Sequence, residues 1–301
     1  MNAAFESAKL EEQPALKPIG HPYLLALPTV LWLVLFAVVP LCFMVIMSFW
    51  TSSIFGTKPA LQVGNYTRQL VEPLYGTLLL KTLRIAAITT VVTAIISYPI
   101  AYLMTRLHGA WKSLLLLALF MPFWTSYVVR TFVWLPILGR NGAINAALQW
   151  LGLIDQPIDW LLYNEGTVYL GLVYVYTLFM TLPVYLSLDR IDRRLIEAAL
   201  DLGARPLTIF WRILLPLSWP GVLSGSIMVF LLGVGAYVTP RLLGGTSGIM
   251  YGNMIADQFL TGQNWAFGSA LATTLVLIVV ILLLVTGRWI GIRQVFTGGQ
   301  F

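Results

Sequence analysis

Six long apolar runs dominate this sequence, and each is long enough to cross a lipid bilayer. A membrane-spanning helix needs about 20 mainly apolar residues to cross a hydrocarbon core of about 30 Å. The candidate spans are residues 23–50, 78–104, 113–138, 168–188, 217–238 and 267–289. Several contain prolines, which membrane helices tolerate at kinks when neighbouring groups satisfy the freed carbonyl. The expected fold is therefore an all-α integral membrane protein with six transmembrane helices.

The composition excludes a soluble alternative. Hydrophobic residues make up 58% of the 301 residues and charged residues only 10%, whereas a soluble domain is about half apolar and about a quarter charged. Such a chain cannot cover its apolar surface in water, so a soluble enzyme, a disordered regulator and a nucleic-acid-binding module are all excluded. The single cysteine, Cys42, allows no disulfide framework within the chain, and we expect it to be a small buried apolar side chain. The spacing of potential ligands predicts no metal site.

The positions of Lys and Arg predict the orientation of the chain, because cytoplasmic segments carry an excess of both. With the amino terminus inside, eleven of the 18 basic residues fall in inner segments and four in outer loops. Both termini are therefore predicted to be cytoplasmic, with residues 1–20 forming a tail and residues 21–301 a membrane domain. Lys81 and Arg84 lie in the outer half of a helix, where they can snorkel outward. Arg130 is deeper and needs a partner or a water-filled surface.

The longest inner loop, residues 189–216, is predicted to be a compact helix–turn–helix. Its first helix presents one apolar face, formed by Leu195, Ile196, Ala198, Ala199 and Leu202. Gly203 can end this helix in a left-handed cap, and Pro206 suits the first turn of a second short helix, after which Pro216 restarts a membrane span. So much apolar surface in a short loop either docks into a groove on another protein or lies on lipid headgroups.

The same loop carries a spaced motif. It reads Glu197-Ala198-Ala199, then Gly203 after three residues, Ile213 after nine more, and Leu215-Pro216 one residue later. This pattern resembles the EAA loop of the permeases of ABC importers, a family in which the loop fits a cleft in a cytoplasmic ATPase. The resemblance implies the type I ABC-importer permease fold. It also implies a set of ATPase-coupling residues, namely Glu197, Ala198, Ala199, Asp201, Gly203, Arg193 and Arg205.

Each coupling residue has an expected role. Glu197 is expected at the coupling interface, although a charge favourable to the helix dipole is the alternative interpretation. Gly203 is expected where the turn needs a positive φ or a close backbone approach. Alanines at 198 and 199 allow close packing against the ATPase, and the flanking charges can form ion pairs that are individually weak.

Other stretches of the sequence indicate a subfamily within these permeases. The runs Pro122-Phe123-Trp124-Thr125-Ser126, Val129-Arg130-Thr131 and Glu197 to Ala204 (EAALDLGA) resemble the spermidine/putrescine-type permease subfamily, specifically the first of its two permease subunits. The implied cargo is a small organic solute, with a polyamine such as putrescine or spermidine as the first expectation. An amino-acid-like compound, an organic acid or another amine is the alternative.

The sequence contains no G-x-x-x-x-G-K-[ST] pattern, so the chain is not expected to bind ATP through a P-loop. The resemblance implies that ATP and Mg²⁺ are bound by two copies of a partner ATPase, and that this chain is a transport subunit without a cofactor of its own. It further implies a second permease chain, expected to be a paralogue in a heterodimer, and a periplasmic solute-binding protein. The expected location is a bacterial inner membrane.

A polycation would be recognised by carboxylates and aromatic faces. The candidate residues for the solute path are Trp124, Tyr127, Trp134, Asp155, Asp159, Trp160, Glu165, Tyr237 and Asp257. Aromatic residues near membrane ends are also typical interfacial anchors, and acids in outer loops can be solvated or contact the binding protein. No span has an acid at its centre, so a deep cation site would depend on carbonyls, aromatic rings or the other permease chain.

The sequence lacks the features of two other classes of membrane protein. A secondary transporter would need ion-coupling acids or paired broken helices within the membrane, and neither is evident. A membrane enzyme would need a catalytic set at membrane depth, whereas His21 and His108 both lie at membrane edges. The outer loop at 139–166 is too polar to span the bilayer, and we expect a short outer helix at residues 143–151.

Overall fold

The computed structural model describes residues 22–53 and 56–290, which are mostly helical. The predicted tail at 1–20 and the inner basic residue Arg293 lie outside the described residues. Five helices are long and apolar enough to cross a membrane, and a sixth span is present if one sharply bent pair counts as a single crossing. This architecture confirms the predicted helical membrane fold.

The first half of the chain contains two continuous spans and one sharply bent pair of helical segments. Its elements are α1 (Pro22–Leu33), a π-helical turn (Val34–Val38), α2 (Val39–Met47), the antiparallel strands β1 (Thr51–Ser53) and β2 (Gly56–Lys58), α3 (Gly64–Val71), α4 (Pro73–Arg106), α5 (Ala110–Phe120), a 3₁₀ turn (Met121–Trp124), α6 (Tyr127–Phe132), α7 (Trp134–Leu138) and α8 (Ala143–Trp150). At 34 residues, α4 is about 50 Å long and extends beyond the hydrocarbon core.

The second half contains the remaining long helices and several short ones. Its elements are a 3₁₀ turn (Asp159–Leu161), α9 (Glu165–Asp189), α10 (Arg193–Asp201), α11 (Pro206–Ile209), a π-helical turn (Phe210–Leu214), α12 (Leu215–Val234), α13 (Val238–Leu243), α14 (Tyr251–Leu260) and α15 (Trp265–Ile290). We call the end that contains residues 105–112 and 189–214 the inner end, after the predicted orientation, and the opposite end the outer end.

The third predicted span is not a continuous helix. Its two parts, Ala110–Trp124 and Tyr127–Trp150, are bent by 100°. The break follows from local sequence, because Pro122 begins the short 3₁₀ turn and Ser126 caps α6 by accepting a hydrogen bond from the Val129 N–H at 3.2 Å. The expected kink in the run at 113–138 is therefore a full change of direction. The expected outer helix is confirmed as α8.

Each π-helical turn ends two residues before a proline. The Val39 N–H bonds to the carbonyl of Val34, and the Leu215 N–H bonds to that of Phe210, one residue further back than in an α-helix. Pro40 and Pro216 come next; a proline donates no N–H and its ring crowds the carbonyl four residues before it, so the wider turn makes room.

As a result, Pro206–Val234 is one continuous helix of 29 residues. The expectation of a separate second short helix before Pro216 was wrong, because the π-helical turn carries the helix through the proline. The predicted end at residue 238 was also wrong, since α12 stops at Val234 and α13 begins at Val238.

The core is formed by α4, α9 and α12, which pack against one another along much of their length. Small residues bring the helices close: a side-chain carbon added at Gly221 would lie 2.5 Å from the carbonyl oxygen of Pro183. Interhelical hydrogen bonds join Tyr176 to the Leu232 carbonyl at 2.9 Å and Ser97 to the Thr177 carbonyl at 3.2 Å. Both features are typical of helix association in lipid.

The first span is peripheral. It packs along α15, and its large apolar side chains, such as Leu31 and Phe36, remain exposed on the surface of the chain. Cys42 is also exposed rather than buried, which corrects the expectation for that residue. An apolar side chain needs no protein cover when its solvent is lipid.

Candidate functional site

Helix α10 is defined by local sequence at both ends. A carboxylate oxygen of Asp192 accepts a hydrogen bond from the Arg194 N–H at 2.9 Å and caps the start. At the other end the Gly203 N–H bonds to the Leu200 carbonyl at 2.8 Å and the Ala204 N–H to the Ala199 carbonyl at 2.9 Å. This pair of bonds is the Schellman pattern, which needs a left-handed residue after the helix. Gly203 supplies it with φ of 78°.

The structure decides between the two expected reasons for Gly203. A side-chain carbon added there would meet no atom of the described residues within 4 Å. The backbone conformation is therefore the reason for glycine here, and close approach within the chain is not. Pro206, as predicted, lies in the first turn of α11.

The predicted apolar face of α10 is only partly buried within the chain. Ile196 and Ala199 pack against the core cluster, whereas Leu195 is 51% exposed and Leu202 is 88% exposed. The apolar residues lie on one side of the helix, as their spacing predicts. Only the edge formed by Ile196 and Ala199 is covered, and the rest of the face is left exposed by the described residues.

Glu197 lies on the exposed part of α10 and forms no hydrogen bond or ion pair with any described residue. The alternative reading, a carboxylate that stabilises the helix dipole, requires a position in the first turn. The first turn of α10 contains no acidic residue, because the helix begins at Arg193. This geometry leaves Glu197 free to contact a partner. Ala198, Asp201 and Arg205 are exposed beside it.

Arg193 behaves differently from the other expected coupling residues. Its Nη2 donates to the carbonyl oxygen of Thr105 at 2.7 Å and lies 3.2 Å from Nε2 of His108. Both partners belong to this chain: Thr105 lies in the last turn of α4 and His108 lies just after that helix. Arg193 was expected to flank the ATPase, whereas its guanidinium contacts the membrane domain of its own chain. Sequence reasoning missed Thr105 and His108, since no spacing rule connects residues so far apart in the chain.

At the outer end, three of the four acids predicted for the solute path form ion pairs with arginines. Nη2 of Arg84 lies 2.7 Å from both carboxylate oxygens of Glu165, Nε of Arg140 lies 3.2 Å from Asp159, and Arg241 is paired with Asp257. Of the four, Asp155 alone has no ion-pair or hydrogen-bond partner among the described residues. These pairs reduce the negative charge that a cationic solute would meet.

The basic residues within the spans also have polar partners in the structure. Arg84 binds Glu165, and Lys81 donates to the carbonyl oxygen of Ser247, so neither residue simply snorkels outward. Arg130 is 7% exposed. Its Nη2 donates to the Thr125 carbonyl at 3.0 Å and its guanidinium carbon lies 4.1 Å from the ring centre of Phe123. A carbonyl and an aromatic face supply the partner that the sequence required.

The candidate aromatic residues divide into packed and exposed groups. The hydroxyl of Tyr127 is 2.7 Å from Oγ1 of Thr239 on α13, and the Trp134 ring packs edge-on against Tyr174 on α9, with centres 5.6 Å apart. These contacts fix the bent segment α6–α7 onto the core. The remaining three candidates are exposed, namely Trp124 at the break, Trp160 in the outer loop and Tyr237 after α12.

A groove between α9 and α12 had no signal in the sequence. It has a volume of about 450 Å³ and is lined by Phe179, Leu186, Ser187 and Ser224 among others. Its lining is largely uncharged, so neither charge patterning nor motif spacing indicated it. Among the described residues, no group of three or more His, Cys, Asp or Glu is placed to hold a metal ion.

Comparison with known proteins identifies the class of membrane protein. Residues 23–292 match the family described as "Binding-protein-dependent transport system inner membrane component". The chain is 38% identical over 258 residues to the spermidine/putrescine transport system permease protein PotB of Escherichia coli K12, covering 85% of this chain and 93% of that protein. It is 35% identical over 236 residues to the inner membrane ABC transporter permease protein YdcU of the same organism, covering 75% and 74%.

Solved structures of low sequence identity have the same fold. A chain of a bacterial ABC transporter that imports the acidic polysaccharide alginate superimposes with a TM-score of 0.72 at 15% identity, covering 89% of this chain and 93% of that chain. A chain of the MetNI methionine ABC transporter superimposes with a TM-score of 0.52 at 17% identity, covering 72% and 96%. At such identities the likeness concerns the fold alone.

Proposed function

Since this chain belongs to the family of binding-protein-dependent transport system inner membrane components, we propose that it carries a polyamine such as putrescine or spermidine into the cell. It is an inner-membrane permease subunit of an ABC importer and not an enzyme. The observation that carries the choice of solute is its 38% identity to a spermidine/putrescine permease over nearly the whole of that protein. The competing assignment is another small organic solute handled by the same mechanism.

The proposed assembly contains this chain and a paralogous second permease as a heterodimer. Two copies of a cytoplasmic ATPase bind ATP and Mg²⁺, and a periplasmic binding protein delivers the solute. Both termini of this chain lie in the cytoplasm, and residues 21–301 form the permease domain. The excess of Lys and Arg in the inner segments supports this orientation.

In this proposal the loop at 189–216 is the ATPase-coupling element. The outward side of α10 presents Leu195, Ala198 and Leu202, with Glu197 exposed and unpaired among the described residues. Apolar side chains beside a free carboxylate suit a helix that enters a groove on a partner protein. Asp201 and Arg205 extend this docking surface, and the positive φ of Gly203 ends the helix sharply enough to present it.

The proposed solute path runs past the break in the third span. Trp124 and Tyr237 supply exposed aromatic faces that attract ammonium groups. Asp155 and Trp160 stand at its outer end. Tyr127 and Trp134 act by holding the bent segment in place, while Glu165, Asp159 and Asp257 act as partners of arginines.

The test is ATP hydrolysis by the complete complex in lipid vesicles, stimulated by the loaded binding protein. Putrescine and spermidine are compared with amino acids, organic acids and other amines of similar size. Stimulation by polyamines alone supports the proposal. Stimulation by another solute alone overturns the polyamine assignment but leaves the assignment as an ABC importer intact. Vesicles that contain Glu197→Ala distinguish ATPase coupling from solute choice, because this variant is expected to weaken the response to every solute equally.

A further inference from the structure

A polar contact at the inner end joins α10 to the connection between α4 and α5. Arg193 donates through Nη2 to the Thr105 carbonyl at 2.7 Å and reaches His108 at 3.2 Å. Thr105 lies in the last turn of α4, and His108 lies in the connection itself. The bond to a backbone oxygen depends on where α4 ends and not on a particular side chain at 105.

Apolar packing at this junction is supplemented by a polar contact. Ile196 and Ala199 pack against the core cluster, and an open pocket of about 150 Å³, with Thr105, Arg106, Ile196 and Leu214 in its lining, lies beside the Arg193 contact. The charge-assisted hydrogen bond of Arg193 adds a direct link between the α10 amino terminus and the end of α4.

The connection between α4 and α5 has a backbone conformation that depends on a glycine. Gly109 has φ of 61° and ψ of −138°, a conformation that is essentially restricted to glycine. On its far side, Nζ of Lys112 lies 3.7 Å from Oδ1 of Asp189 and 5.1 Å from the centre of the Tyr185 ring. The connection is thus held by α10 on one side and by the end of α9 on the other.

From these contacts we propose that Arg193 is a positioning residue that latches α10 to the α4–α5 connection. When α10 is displaced, the latch moves α5, and α5 leads directly into the break at residues 121–126. A signal received on the exposed side of α10 thereby reaches Trp124 without passing through the π-helical turn that leads into α12. This inference rests on the proposed function, because it requires α10 to be the element that the ATPase moves.

The test compares Arg193→Ala with Arg194→Ala in the complete importer in lipid vesicles. Both variants remove one positive charge from the first turn of α10, and the Arg194 side chain has no hydrogen-bond or ion-pair partner among the described residues. The measured quantities are the ATPase retained in the purified complex and the number of solute molecules imported per ATP hydrolysed. We expect Arg193→Ala to retain the ATPase but to lower the import ratio about tenfold, the scale of one charge-assisted hydrogen bond.

Two further variants keep the test decisive if Arg193→Ala fails to assemble. Arg193→Lys retains a donor for the Thr105 carbonyl and is expected to recover part of the ratio. His108→Ala truncates an exposed side chain and removes one of the two contacts, so it is expected to lower the ratio about threefold. The double variant with His108→Ala and Arg193→Ala should have the same import ratio as Arg193→Ala alone, because the contact of His108 acts through Arg193.

The outcomes separate the latch from the proposed function. An import ratio unchanged in Arg193→Ala and His108→Ala overturns the latch. If Glu197→Ala weakens ATPase association in the same preparations, the proposed function of α10 still stands. If Glu197→Ala also leaves association and hydrolysis unchanged, α10 is not the coupling element and both proposals fail together.

Discussion

Arg84 and Glu165, 81 residues apart in the sequence, form an ion pair at the outer end, where the single Nη2 atom of the arginine lies 2.7 Å from both carboxylate oxygens. The hydroxyl of Tyr169 donates to the same carboxylate at 2.8 Å. The contact joins α4 to the start of α9 and gives Glu165 a structural partner. A carboxylate with two donors already in place is a poor site for a passing cation.

The first prediction concerns this pair. Glu165→Gln and Arg84→Met should each lower the melting temperature of the purified complex, with a coupling energy of about 1 kcal/mol in a double-mutant cycle, a modest value because the arginine is largely exposed. The solute concentration for half-maximal ATP hydrolysis should change little. A large rise in that concentration with an unaltered melting temperature would instead identify Glu165 as a contact for the solute.

The second prediction concerns helix packing. Gly221→Ala places a carbon 2.5 Å from the Pro183 carbonyl oxygen and from Cβ of Ser187, so α12 must move away from α9. We expect a loss of stability of about 2 kcal/mol, seen as a lower melting temperature and a lower yield of folded protein. The matched control is Gly235→Ala, whose added carbon is 3.7 Å from the Leu231 carbonyl oxygen and should be tolerated.

The third prediction concerns the end of α10. Gly203→Ala has ample space, but an alanine with φ of 78° costs about 1 kcal/mol. The α10 terminus should fray, and ATPase association should weaken while the melting temperature of the membrane domain stays unchanged. The control is Gly76→Ala in α4, whose added carbon also meets no atom within 4 Å in the part of the chain that the structure describes, and Gly76 has no positive φ. Equal behaviour of the two variants would contradict the requirement for a left-handed cap.

The fourth prediction concerns the outward side of α10. Leu202 is 88% exposed, so Leu202→Ser removes almost no buried apolar surface and should leave folding intact. If a partner groove buries this side chain, the fraction of permease that retains the ATPase on purification should fall about tenfold, a loss of the order of a leucine burial. Leu153→Ser, at an exposed leucine in the outer loop, should retain the ATPase fully.

The fifth prediction concerns the solute path. Trp124→Ala should raise the solute concentration needed for half-maximal stimulation about threefold to tenfold, the range of one cation–π contact. Its ring is 76% exposed, so stability should not change. Trp150→Ala, at a tryptophan that is 86% exposed at the end of α8, is the control. Equal effects of both substitutions would show that general loss of exposed aromatic surface is responsible.

Much of the fold could be predicted because helices and their ends are local features. The apolar runs located the spans, Ser126 and Asp192 cap α6 and α10, and Gly203 has the positive φ that its position after α10 required. The form of each kink was harder to predict from the sequence. A proline in an apolar run is compatible with a π-helical turn, as at Pro216, or with a 3₁₀ turn and a break, as at Pro122. Packing against neighbouring helices decides between these outcomes, so the sequence alone did not.

By itself, the sequence determined that this chain is a membrane protein, that its longest inner loop forms α10, and that this loop carries the EAA spacing. Each follows from residues close together in the chain, where helical period and capping chemistry act. The tertiary structure decided which charges are free. Arg84 binds Glu165 and Arg193 binds the Thr105 carbonyl, whereas Glu197 faces outward without a partner among the described residues. Such choices depend on the packing of distant helices, because a charge is neutralised only by a group that folding brings within a few ångströms of it.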